Sequence, residues 1–148
     1  MSTHRYQRLA GAVALAATLT LGASQVAWAV HAVKVHGSIT IPGTRGMDLD
    51  RGQLGGGSSR ADIKFNIVIP AKRYVSNVGT AGIKLMAGQP TYAQCSTANP
   101  AGHAYDVNHA AVGSWFCVRT QQGRYARFRI DHVAAYPGGM DITFTTWV

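Results

Sequence analysis

Residues 61–69, ADIKFNIVI, alternate apolar and polar side chains until Pro70. Ile63, Phe65, Ile67 and Ile69 fall on one face; Asp62, Lys64 and Asn66 fall on the other. A period of two belongs to a half-buried strand, because a helix repeats its apolar residues at three and four. The same signature fills the last third. Ser114–Thr120 (SWFCVRT) and Arg124–Ile130 (RYARFRI) flank Gln121-Gln122-Gly123, a turn that fits a bulged hairpin with Gly123 in the left-handed region. Tyr136-Pro137-Gly138-Gly139 is a second turn, and Met140–Val148 returns with Ile142 and Phe144 inward and Thr143, Thr145 and Trp147 opposite.

Other segments read less sharply. Val33, Val35, Ile39 and Ile41 suggest a first strand or pair closed by Pro42-Gly43, Met47–Asp50 a short alternating piece, and Gly82–Met86 a short strand. Arg51–Arg60 is Gly- and Ser-rich and reads as a flexible loop, as does Gln94–Gly113. All six acids are Asp and there is no Glu, a composition poor for long helices. The expected fold is all-β: a small antiparallel sandwich or barrel ending in a three-stranded meander.

Residues 1–29 are set apart. His4, Arg5 and Arg8 precede the apolar run Leu9–Ala23, and Ala27-Trp28-Ala29 supplies an A-x-A cleavage pattern. This is the layout of a cleavable secretory signal peptide. The apolar run is shorter than the roughly 20 residues a spanning helix needs. Cleavage after Ala29 leaves one secreted β-domain, residues 30–148, with twelve basic residues against six Asp and a net charge of +6. No second run in that domain is long and apolar enough to span a membrane.

Cys95 and Cys117, both in the exported part, are expected to pair in an oxidising compartment; no C-x-x-C spacing favours a redox role. The bridge closes a loop of about 23 residues, for which chain entropy allows roughly 3 kcal/mol.

Catalytic and metal motifs are thin. His103, Asp106 and His109 recur every three residues and could serve a small secreted hydrolase, but no further firm ligand is adjacent and the stretch is Gly- and Asn-broken. Asp48-Leu49-Asp50-Arg51-Gly52 resembles the start of a calcium loop, yet lacks the later acids and the closing Glu, so both Asp are placed on an outer strand face. There is no G-x-S-x-G elbow. Neither a metal nor a cofactor is expected. The stronger feature is basic: Tyr125, Arg127 and Arg129 alternate on the face opposite Ala126, Phe128 and Ile130, with Arg119 and Trp147 facing the same way. Arg beside aromatic rings suits phosphate, carboxylate or sugar-rich polymers, and also single-stranded nucleic acid. An exposed strand face covered by long Arg stems has the same pattern. The expected partner is an anionic cell-wall polymer or another extracellular protein rather than nucleic acid.

The run Cys117-Val118-Arg119-Thr120-Gln121-Gln122-Gly123-Arg124-Tyr125-Ala126 resembles a C-V-R-T-x-x-G-R-Y-A hairpin of a small secreted β-module of high-GC Gram-positive bacteria. The likeness extends over about residues 40–148, through Asp48–Gly52 (D-L-D-x-G), Ala61-Asp62-Ile63, Tyr92 with Cys95, and the closing Thr145-Thr146-Trp147. It implies a disulfide-linked, non-catalytic domain and brings no active site. The Gly-rich Leu54–Ser59 insert and the additional Arg residues depart from that pattern.

Overall fold

A computed structural model describes residues 31–55, 60–68, 72–108 and 112–148. The expected signal segment 1–29, most of the Gly-rich insert, Ile69, Pro70 and His109 lie outside the described residues.

The described residues form ten strands and one short helix. In order these are β1 (Val33–Ile41), β2 (Gly46–Asp48), β3 (Gln53–Gly55), β4 (Ile63–Val68), β5 (Lys72–Asn77), β6 (Gly82–Met86), α1 (Tyr92–Thr97), β7 (Ala104–Asp106), β8 (Trp115–Arg119), β9 (Tyr125–Val133) and β10 (Met140–Trp147). They make two antiparallel five-stranded sheets, β1-β10-β9-β8-β6 and β3-β2-β4-β5-β7. The expected all-β sandwich is what forms.

The inward residues of both sheets share one core. Met47, Ile63, Phe65 and Val75 come from the second sheet; Phe116, Val118, Phe128, Ile130 and Ile142 come from the first, and all are fully buried. Phe116 and Phe128 lie directly opposite across β8 and β9, with rings stacked at 4.8 Å between centroids. The hairpin that joins these strands forms as its sequence predicts. Gly123 takes φ +78°, its N–H donates to the Thr120 carbonyl, and Thr120 N–H donates to Arg124 O. The β9–β10 turn also forms, through a cis Tyr136–Pro137 bond.

Four expectations change. Arg51–Arg60 contains β3, and Gln94–Gly113 contains most of α1 and all of β7. These elements have three to six residues, too few to show a period. β5, sequence KRYVSN, was not legible at all because only Val75 is fully buried in it. Asp48 and Asp50 leave the outer face and are 3% exposed. Leu49 and Asp50 belong to a tight turn rather than a strand, closed by Gly52 N–H to Asp48 O with Gly52 at φ +68°. Asp62, expected outside with Lys64 and Asn66, is fully buried, because it precedes β4 at a point where the β8–β9 turn closes over it.

Candidate functional site

The Arg-and-aromatic face lies on the outside of the first sheet, and α1 sits on part of it. Thr91 caps α1 in a reciprocal box: its hydroxyl accepts from Gln94 N–H at 3.3 Å, and the Gln94 side chain accepts from Thr91 N–H at 2.8 Å. Asn99, at φ +47°, follows the helix, and Pro100 comes next. Cys95 is the buried residue of α1 and is bonded to Cys117 on β8, as the cysteine count predicts. Lys84 on β6 donates to Ala98 O at 2.8 Å and ties down the other end.

A second apolar cluster forms beneath this helix: the two sulfurs, Trp147, Met86, Tyr92 and Tyr125. Tyr92 meets Tyr125 and Trp147 edge-on, each at 5.8 Å, and His31 stacks on Tyr92 at 3.5 Å. Trp147 is consequently 6% exposed.

The structure separates the predicted binding residues into two groups. Arg119 pairs with Tyr125 and Arg129 with Trp115 across β8 and β9, so all four share the outer face with Arg127. Arg127 lies 5.3 Å from the Trp147 ring centre and 5.6 Å from that of Trp115, and donates to Pro90 O at 2.7 Å. Burial pushes its pKa down. Arg127, Trp147 and Tyr125 thus form the bed on which α1 rests. Arg119 and Arg129 remain accessible. Arg129 stacks over Trp115 at 5.6 Å and pairs with Asp131 at 2.6 Å. Beside it runs a row of hydroxyls and carboxylates: Asp131 accepts from Thr143, Ser38 bonds Thr143, and Thr40 donates to Asp141, at 2.6–2.9 Å.

Of the predicted hydrolase residues, His103 and Asp106 are among the described residues. His103 precedes β7, whose Tyr105 and Asp106 point to opposite faces as a period of two requires. His103 contacts the Tyr105 ring edge at 6.2 Å, and Asp106 accepts from Asn108 N–H. His109 lies outside the described residues.

A different set of acids does converge. One carboxylate oxygen each from Asp48, Asp50 and Asp62 lies within 4.8 Å of the others, the one such group of metal-binding side chains among the described residues. Asp62 accepts from the backbone N–H of Leu49 and of Gln121, both at 2.8 Å, and so links the β2–β3 turn to the β8–β9 turn of the opposite sheet. Burial raises its pKa to about 6, against the pull of those two amides and with help from the Asp50 and Asp48 charges. Asp48 accepts from Arg51 N–H, and Asp50 faces Arg124 and Lys34. The D-L-D-x-G run showed two of these acids; the third is distant in sequence.

Among the comparisons with known proteins, no family model, no curated protein and no solved structure matches the chain. Among the described residues, no helix is long and apolar enough to cross a membrane.

Proposed function

We propose that this is an exported, non-catalytic β-sandwich module that holds an anionic cell-surface polymer at the Trp115–Arg129 end of its outer sheet face, with Arg119 as a further contact. The observation that carries this reading is the aromatic seating of the guanidinium groups. Arg127 is fixed against Trp115 and Trp147 from below, and Arg129 is stacked on Trp115 with its side chain 44% exposed. A positioned guanidinium loses less entropy on meeting phosphate or carboxylate, and the hydroxyl row suits a sugar or polyol backbone. The resemblance of the Cys117–Ala126 hairpin to secreted modules supports export, and so does the disulfide, which persists in oxidising compartments.

Retention of the full chain on immobilised poly(glycerol phosphate), against a neutral glucan, tests the proposal. Binding is expected to weaken steeply between low and high salt. Changing Arg119 and Arg129 together to Ser should weaken it about tenfold, as two exposed charge contacts of up to about 1 kcal/mol each imply. His103→Ala should leave it unchanged. Equal retention by both resins, or by the double variant and the parent, defeats the reading.

A further inference from the structure

We propose that Asp48, Asp50 and Asp62 form a divalent-cation site, with calcium the favoured ion. The three carboxylates come from the end of β2, the β2–β3 turn and the entry to β4, and all are buried to within 3% exposure. A second observation points to a ligand. Asp50 Oδ1 is turned to Arg124 and Lys34, but Asp50 Oδ2 is fully buried and has no donor among the described residues. A buried carboxylate oxygen without a partner is costly, and its usual remedies are a donor or a metal. A divalent cation would satisfy that oxygen and also bridge it to the neighbouring carboxylates, which a water cannot match in charge.

The neighbouring bases do not close the site. Arg124 stands 3.3 Å and Lys34 3.7 Å from Asp50, and Arg51 3.4 Å from Asp48. Arg124 donates to Asp50 and Arg51 to Asp48 at these distances, longer than the about 2.7–2.9 Å of a strong charged pair. All three bases reach in from partly exposed side chains, 32–56% accessible, and can swing outward.

Size selects the ion. Calcium binds oxygen at about 2.3–2.6 Å, so its opposed ligands stand up to about 5 Å apart; magnesium, at about 2.0–2.1 Å, requires about 4.2 Å or less. Oxygens within 4.8 Å of one another fall inside calcium's span, whereas magnesium requires them within about 4.2 Å. Three carboxylates leave places for water in a shell of six to eight, and the nearby bases weaken attraction. The affinity belongs with extracellular calcium modules, on the order of 10⁻⁴–10⁻³ M.

The test is calorimetric titration of the full chain with calcium chloride after chelator treatment. It is paired with thermal unfolding at pH 7.5 and fixed ionic strength, in chelator, 5 mM calcium or 5 mM magnesium. One calcium per chain is expected, with a higher midpoint in calcium and a smaller rise in magnesium. Asp50→Asn should lower affinity at least tenfold, while Asp141→Asn, on the outer face, should not; Asp48→Asn replaces the first variant if that does not fold. Identical midpoints in chelator and 5 mM calcium overturn the proposal. So does calcium binding that survives the substitutions at Asp50 and Asp48, or that is lost with Asp141.

Discussion

Asp62 is buried beside two charges of its own sign. Its carboxyl, ordinarily near 3.8, is raised to about 6 by burial, with Asp50 and Asp48 adding to the rise. The folded chain therefore holds this proton more tightly than the unfolded chain does. The stability gained is complete below about pH 4 and is lost as pH rises through 6. A displacement of this size corresponds to about 3 kcal/mol across the window. In chelator, the unfolding midpoint is expected to rise as pH is lowered from 7.5 to 5, and Asp62→Asn should flatten that slope. A parent slope no steeper than the variant's would remove the basis for it. None of this was legible from residues 61–69. Alternation says that neighbouring side chains point apart, not that both directions are covered. Asp62 is covered by Gln121, far along the chain, and no local pattern carries that contact.

At the level of elements, α1 depends on its anchors more than on its own turns. Six residues cannot hold a helix alone in water. The Cys95–Cys117 bond, the Lys84–Ala98 contact and the Tyr92 ring fix it over Trp147. Replacing both Cys with Ala is expected to cost up to about 3 kcal/mol, the entropy of a loop with a sequence separation of 22. It should also open Trp147 to solvent, seen as a red-shifted emission and faster acrylamide quenching. Unchanged quenching would mean that packing alone holds the helix. The Thr91…Gln94 capping pair of α1 went unread, because it adjoins Gln94–Gly113, a stretch whose Gly and Asn-Pro content reads as loop. The β8–β9 hairpin was readable for the opposite reason. Its turn and its register are set within ten residues, so local chemistry decides them. The same locality made Arg119, Arg127 and Arg129 legible as one face, while the helix that divides them into bed and rim was not.

Across the whole molecule, charge and core are sorted by the same two layers. Three of the six Asp are buried, so the solvent-facing surface carries fewer acids than the sequence count suggests. That arrangement is compatible with the proposed anionic partner and makes ionic strength the natural variable for testing it. The layers are also mechanically joined. β1 pairs with β10, placing His36 opposite Thr145, so the first sheet needs both ends of the described chain before it is complete. The second sheet has no core of its own: Met47, Ile63, Phe65 and Val75 are buried against the side chains of the first. The sandwich class could be read from strand periodicity, but the order of the strands could not, because pairings this long in sequence leave no local trace. A shared core predicts a single cooperative transition. Phe128→Ala removes a ring stacked on Phe116 at the centre of that core, and such truncations cost about 3–5 kcal/mol. Far-ultraviolet dichroism, which reports both sheets, and near-ultraviolet dichroism, which reports the packed rings, should therefore shift downward together in the variant and remain superimposed. Separate midpoints would show that β2, β3, β4, β5 and β7 persist without the first sheet, and the sandwich would then consist of two folding units rather than one.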